Sequence, residues 1–224
     1  LSCFVTIKFH QNLNFKSTVS MDRRWVHDYY FLDPIHTSYG RTQHGEASST
    51  RSDDMRMVYD NILTYNNSWN GVHNFEAMGG TSATTSRWEN LSGSRSYFSS
   101  DYDNAIFGIN GGNKGGLRGQ SQGLSKWAIM SYLARVSYSK YYITANVRAD
   151  GSSKLAPGHK WGVFPSASAA WRISGEDWMQ DISWINDLKL RAGWGQQGNQ
   201  SGLDDYAWVQ MYGTNYYDWT NSAY

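Results

Sequence analysis

Apolar and polar residues alternate along much of the chain, which is the two-residue period of a β-strand whose two faces meet different surroundings. In Tyr141–Asp150, alternate positions hold Tyr, Ile, Ala, Val and Ala on one face and Tyr, Thr, Asn, Arg and Asp on the other. The same period predicts about nine strands. They are Ser2–Phe9, Leu13–Arg24, Asp54–Trp69, Val72–Ser86, Tyr132–Tyr138, Tyr141–Asp150, Val163–Arg172, Leu188–Gly195 and a partial strand near Tyr206–Tyr212.

The connections between these predicted strands alternate between short and long. Asn70-Gly71 suits a type I′ hairpin, which needs positive φ angles, and His10–Asn12 and Ser139-Lys140 are similarly short. The long polar segments are Trp25–Asp53, Arg87–Ser125, Ser152–Lys160 and Gln196–Asp205. Bacterial outer-membrane barrels combine short periplasmic turns with long extracellular loops. On the short side, Ser174–Asp187 is expected to be a structured turn with one or two helical turns.

Composition favours the same fold class. The chain has 16 Tyr and 11 Trp, yet its mean hydropathy is negative and its apolar runs are short. A membrane-spanning helix needs roughly 18 consecutive apolar residues, whereas barrel strands alternate and give a weak signal. Aromatic residues near strand ends suit the two water–lipid interfaces. Since an open sheet cannot span a bilayer alone, we expect residues 1–224 to be one segment of a larger antiparallel transmembrane β-barrel, with both ends inside a longer protein.

The sequence offers no set of residues for covalent chemistry. Cys3 is the only cysteine, and the six histidines form no pair at metal-ligand spacing. Gly108–Gly116 lacks the pattern of a phosphate-binding loop, and no nucleophile, base and orienting group can be assigned together. We therefore predict no catalytic residue, no metal site, no cofactor and no enzymatic activity. A net charge of +1 gives no reason to expect a nucleic-acid partner.

Several charged residues share the polar face of the predicted strands. They are Arg135, Arg148, Asp150, Arg172, Lys189 and Arg191. We expect this face to line the barrel lumen, where the charges would hold a plug, support the wall or contact substrate. The simpler interpretation is that a lumenal face is polar because it is hydrated. On the lipid face, an arginine at the membrane midplane would cost roughly 2–4 kcal/mol.

The long predicted loops are rich in aromatic residues, which are Trp25, Tyr29, Tyr30, Phe31, Trp88, Tyr97, Phe98, Tyr102 and Phe107. Sugars stack on such rings, and protein partners pack on them. The rings are therefore candidates for contact with a ligand or a partner protein. The alternative is that the loops pack against themselves.

Several sequence blocks resemble the SusC/RagA family of TonB-dependent transporters. They are Ser131–Ser139, Lys140–Lys154, Trp161–Ser174 and Asp187–Gly195 with the following Gln197–Asn199, preceded by Asn61–Tyr65 and His73–Ala77. Two departures are visible. The Ser139-Lys140 turn is shorter than is usual in the family, and the loop containing Gly108–Gly119 is unusually rich in glycine.

The resemblance implies one segment of a barrel of about 22 strands, with the plug domain and the TonB box outside residues 1–224. It also implies TonB-dependent import of oligosaccharides or peptides across the outer membrane of a Gram-negative, Bacteroidetes-like cell. The implied partners are a SusD-like surface lipoprotein, the TonB complex, the ligand and the outer-membrane lipid. Two alternatives stay open, namely a passive porin-like or structural outer-membrane barrel and a soluble β-sandwich that binds carbohydrate.

Overall fold

The computed structural model of the chain describes residues 1–70, 73–99, 108–113, 118–139, 141–179 and 184–210. These residues form one antiparallel sheet of eight strands, each paired with its neighbours in sequence. The strands are β1 (Ser2–His10), β2 (Leu13–Leu32), β3 (Glu46–Trp69), β4 (His73–Ser96), β5 (Arg118–Tyr138), β6 (Ile143–Ser152), β7 (Trp161–Arg172) and β8 (Lys189–Gly195). The predicted all-β, antiparallel fold is confirmed. The described residues form this one sheet, which we call the wall, and not two packed sheets, which disfavours a β-sandwich.

Strands β2 to β5 are much longer than predicted. The β3–β4 register is unbroken from Trp69 opposite His73 to Glu46 opposite Ser96. Much of the two segments predicted as loops, Trp25–Asp53 and Arg87–Ser125, is therefore paired strand, and that part of the prediction was wrong. Backbone pairing continues where neither face requires apolar residues, so the alternation that reveals a strand disappears.

The short connections lie at the opposite end of the sheet. Asn70 has a φ of +50°, as a type I′ turn requires, and Tyr142, just before β6, has a φ of +48°. Between β7 and β8 the chain forms two short 3-10 turns, Ile173–Gly175 and Asp177–Met179, in the segment where one or two helical turns were expected. The partial strand predicted near Tyr206 is absent up to residue 210, where the chain forms turns. The last two residues of that predicted strand, 211 and 212, lie outside the described ranges.

In the described ranges, no helix has the length and apolar character needed to cross a bilayer.

The two faces of the wall differ in composition. Paired residues of antiparallel strands point to the same face, and the register joins Val19, Tyr59, Ala83 and Met130 in one cross-strand row. We call this apolar side the outward face and the other side the lumenal face. On β6, Val147 points outward and is 43% exposed. Side chains of this kind gain stability only if lipid covers them.

Aromatic residues collect on the outward face near the short turns. The ring of Phe75 lies 6.3 Å from the rings of both Tyr65 and Trp69. Beside them, His73 Nδ1 and Tyr138 Oη are 2.6 Å apart. Amphipathic rings near the strand ends suit the headgroup region of a membrane, as expected from the aromatic residues near the ends of the predicted strands.

Candidate lumenal surface

The strand register brings the charged residues singled out in the sequence to the lumenal face. Arg148 is paired with Leu133, two residues from Arg135, and Asp150 is paired with Ser131. Arg172 is paired with Lys189, and Arg191 with Ala170. The β6–β7 register joins the two groups through Arg148 opposite Phe164 and Thr144 opposite Ser168. All six side chains therefore start from the same side of the wall.

Arg135 forms an ion pair across two strands near the short turns. Its Nη2 contacts the carboxylate of Glu76 on β4. The Nε of the same guanidinium is buried and has no hydrogen-bond partner among the described residues. An open recess beside the pair is lined by polar groups that include Asn12, Asn66 and Ser137. This end of the wall therefore presents amides, hydroxyls and the partly exposed Arg135–Glu76 pair to the lumen.

Two side-chain contacts hold the guanidinium of Arg148 against the lumenal face of the wall. Its Nε is 2.6 Å from Asp150 Oδ1, and its Nη2 donates to Ser131 Oγ at 3.0 Å. Ser131 is only 1% exposed. Charge-assisted hydrogen bonds of this kind fix the direction of a guanidinium. Both charges of the pair are balanced within the wall.

A second set of polar contacts lies at the edge formed by the short turns. Asp187 Oδ1 accepts hydrogen bonds from Ser174 Oγ at 3.0 Å and from Arg172 Nε at 2.9 Å. Both bonds lower the pKa of Asp187 from its ordinary value, and the bond from Ser174 has the larger effect. The Nζ of Lys189 lies 3.8 Å from the centre of the Tyr142 ring. Arg191 is exposed and, within the described residues, forms no ion pair or hydrogen bond.

The segment after β8 folds back over the lumenal face. Asp205 forms a 2.8 Å ion pair with Lys154, each side chain only 14% exposed, and also accepts a hydrogen bond from Ser125. Gln200 Oε1 accepts from Ser152 Oγ at 2.6 Å. In the sequence analysis, Asp205 was only the last residue of the predicted long segment Gln196–Asp205. Its cation lies far away in the chain, and no periodic pattern links the two positions.

A cleft of about 220 Å³ lies between this folded segment and the wall. Arg148, Asp150 and Gln200 supply its polar groups, and Phe164 supplies an aromatic face. A Cβ on Gly198 would come within 2.4 Å of the Phe164 ring, so a larger residue there would require the ring to move. A ring beside convergent polar groups suits a polar ligand that has one apolar side.

The candidate aromatic residues fall into different environments. Trp25, Tyr29, Tyr30 and Phe31 lie on β2 and Trp88 lies on β4, so their predicted location in loops was wrong. By register, Tyr30 and Trp88 belong to the lumenal face, whereas Trp25, Tyr29 and Phe31 belong to the outward face. Tyr102 and Phe107 lie outside the described residues.

Tyr97 and Phe98 belong to a packed assembly at the ends of β2, β3 and β4, which we call the extracellular cap (residues 31–47, 95–99 and 108–113). Phe98 is buried, and its ring meets that of Phe31 edge to face at 5.4 Å. Tyr97 stacks on His44 at 4.9 Å. The backbone N–H of Phe98 donates to the carbonyl of His44 at 2.8 Å. For these two aromatic residues, self-packing of the loops is what the structure shows.

A short helix, α1 (Ser38–Gln43), sits within the cap. Thr37 caps it, because its Oγ1 accepts a hydrogen bond from the N–H of Gly40 at 3.0 Å. Asp33 Oδ1 accepts from the N–H groups of His36 and Ile35, and its Oδ2 lies 2.7 Å from His36 Nδ1. These backbone and side-chain bonds lower the pKa of Asp33 to about 2.

Comparison with known proteins finds relatives that share one description. TonB-dependent receptor SusC of Bacteroides thetaiotaomicron is 38% identical over 102 residues, which are 44% of this chain and 10% of SusC. TonB-dependent receptor P39 of Formosa agariphila is 27% identical over 219 residues, 96% of this chain and 20% of the receptor. Receptor P3 of the same organism is 30% identical over 202 residues, 88% of the chain and 20% of the receptor. No protein-family model matches the chain.

Solved structures agree in fold. The structure of the RagAB peptide transporter superposes with a TM-score of 0.79 at 22% identity, over 92% of this chain and 23% of that one. The RagAB peptide importer in its open-open state gives a TM-score of 0.75 at 21% identity, over 87% of this chain and 21% of that one.

The curated relatives are all named TonB-dependent receptors, so the chain belongs to the TonB-dependent receptors of the outer membrane. The match to SusC in sequence and to RagAB in fold confirms the family predicted from the sequence blocks. The chain is a segment of the β-barrel of a SusC/RagA-type transporter. It spans no more than about a fifth of the length of these curated relatives.

The relatives named here are receptors and transporters, in keeping with the prediction that the chain is not an enzyme. Within the described ranges, no group of three or more His, Cys, Asp or Glu side chains could hold a metal ion.

Proposed function

We propose that this chain forms part of the wall of a multi-pass outer-membrane barrel that imports nutrients with energy supplied through TonB. The supporting observation is the division between the two faces of the sheet. The outward face carries exposed apolar side chains such as Ile143 and Val147, and the lumenal face carries Arg148 and Asp150. Such a wall suits lipid on one side and a hydrated passage on the other.

The proposed cargo is an oligosaccharide or a peptide. The cleft between Phe164, Arg148 and Gln200 joins an aromatic face to hydrogen-bonding groups, a combination that fits either a sugar ring or a peptide backbone. The solved neighbours are described as a peptide transporter and a peptide importer. In this proposal, the whole segment 1–224 belongs to the barrel domain, and the plug and TonB box lie elsewhere in the protein.

Two roles are proposed for the charged lumenal residues. The exposed Arg191 is suited to contact the plug or the moving cargo. The other charged lumenal residues already have partners within the chain, so their proposed role is to support the wall; they are Arg135, Arg148, Asp150, Arg172 and Lys189. A SusD-like lipoprotein is the proposed partner above the barrel, where the exposed rings of Trp25, Tyr29 and Tyr30 are accessible.

Transport by the whole protein is the direct test. Cells carrying the full-length transporter would be given labelled oligosaccharides or oligopeptides of graded length, with and without TonB. We expect one of the two substrate classes to accumulate only when TonB is present. Equal accumulation without TonB would instead identify a passive pore, and accumulation of neither class would contradict the proposed cargo.

A further inference from the structure

A row of basic residues crosses the outward face just above the apolar region. The register places Arg23, Met55, Arg87 and Lys126 side by side on β2, β3, β4 and β5. The row directly below consists of Met21, Met57, Thr85 and Ala128, and carries no charge. Three positive charges thus lie in one cross-strand row of the wall, where the apolar surface ends.

The row above contains the acidic residues Asp53 and Glu89. Arg23 Nη2 is 2.6 Å from Asp53, and Arg87 Nη2 is 2.6 Å from Glu89. Both pairs are substantially exposed, with 56% of the Arg87 side chain accessible. Lys126 has no ion-pair partner among the described residues, so the two rows together keep a net positive charge. Their charged groups stay within reach of a ligand on the outward side.

An apolar groove opens below the same basic groups. Met55, Met57, Thr85 and Ala128 line it beneath Arg87 and Lys126. The surface therefore offers cations at the level of lipid headgroups and apolar side chains at the level of acyl chains. This order matches an amphipathic lipid with an anionic head. Guanidinium and ammonium groups bind phosphate oxygens by charge-assisted hydrogen bonds.

The row lies on the side of the long connections, which is extracellular in outer-membrane barrels. We propose that Arg23, Arg87 and Lys126 form a docking surface for the phosphate groups of phosphorylated glycolipids in the outer leaflet, with the groove beneath receiving an acyl chain. The inference rests on the proposed function only for the orientation of the barrel in the outer membrane. It concerns the outward surface and is independent of the cargo.

The test uses the full-length transporter purified from outer membranes. Bound phosphorylated glycolipid per protein would be measured by mass spectrometry after extraction, and binding by titration with lipid A and with its dephosphorylated form. The test variant is Arg87→Gln/Lys126→Gln. The matched control, Arg41→Gln/Lys160→Gln, removes two positive charges from connections above the membrane. A juxtamembrane cation changes the affinity for anionic lipid roughly fivefold.

We expect the test variant to bind lipid A roughly fivefold more weakly for each charge removed, the control to bind like the wild type, and the dephosphorylated lipid to bind weakly to all three. Equal binding of lipid A by all three proteins would overturn the proposal. So would competition by millimolar inorganic phosphate, since the site would then bind a soluble anion. Absence of the protein from the outer-membrane fraction would instead contradict the proposed function, whereas normal fractionation with unchanged lipid binding defeats only this inference.

Discussion

The lower and upper parts of the wall are both antiparallel sheet, yet different forces hold them. Below the row of Arg23 and Lys126, the outward face is apolar and the lumenal face polar, so the sheet needs lipid to be stable. Above that row both faces carry polar and charged side chains, and order comes from the extracellular cap. There, buried Phe98 and the bonds of Asp33 replace the membrane as the source of stability. One continuous β-hairpin, β3–β4, therefore depends on lipid in its lower part and on the packing of the cap in its upper part.

The largest effect is expected in the chemical labelling of adjacent residues on β6, which face lipid and the lumen in turn. Single cysteines replacing Ala145 or Val147 in the whole protein should react with a lipid-phase maleimide, because both side chains point outward. Cysteines at Asn146 or Arg148 should remain unlabelled, because they point to the lumen. Labelling would be measured by mass shift in reconstituted vesicles. Equal reaction at all four positions would show that the two faces do not meet different solvents.

A charge placed on the lipid face should destabilise the lower wall strongly. Val147→Arg is expected to cost roughly 2–4 kcal/mol of unfolding free energy, the range for arginine near the membrane midplane. The matched control is Asn146→Arg, one residue away on the lumenal face, which should cost much less. Urea unfolding of the whole barrel in vesicles measures both. Similar losses for the two variants would mean that Val147 is not in contact with hydrocarbon.

The same contrast explains what the sequence revealed. The alternation around Val147 predicted both the strand and the face on which each side chain lies. It could do so because positions that face lipid are apolar and the positions between them are polar. No such difference exists near Trp25, so its strand was mistaken for a loop. The pairing of Lys154 with Asp205 was missed for another reason. It joins two irregular segments, and contacts between distant loops leave no period in the sequence.

A smaller effect should be confined to the extracellular cap. Thr37→Ala removes the oxygen that accepts from the Gly40 N–H and donates to the Asp33 carbonyl. Loss of such a helix cap costs about 1 kcal/mol. We expect faster hydrogen exchange in residues 33–45 and no change in the unfolding of the lower wall. Thr37→Ser keeps the oxygen and should behave like the wild type. If serine were as damaging as alanine, packing of the threonine methyl group would be the cause.

The smallest effect is expected from acid, acting on Asp33 at the base of the cap. Its pKa is about 2 in the folded protein and about 4 in an unfolded chain. A group whose folded pKa is depressed stabilises the fold fully above the unfolded value, and this contribution disappears as the pH falls towards the folded value. Hydrogen exchange of residues 33–45, corrected for the intrinsic rate, should therefore accelerate between about pH 4 and pH 2.

The variant Asp33→Asn tests whether the charge of the carboxylate, and not another group of the loop, causes this effect. Asparagine keeps an oxygen that can accept from the N–H groups of Ile35 and His36 but carries no charge, so its cap should exchange faster at neutral pH and change little with acid. An equal acid response in the asparagine variant would show that the Asp33 carboxylate is not the source of the effect, and the link between acid and the order of the cap would then lie outside this loop.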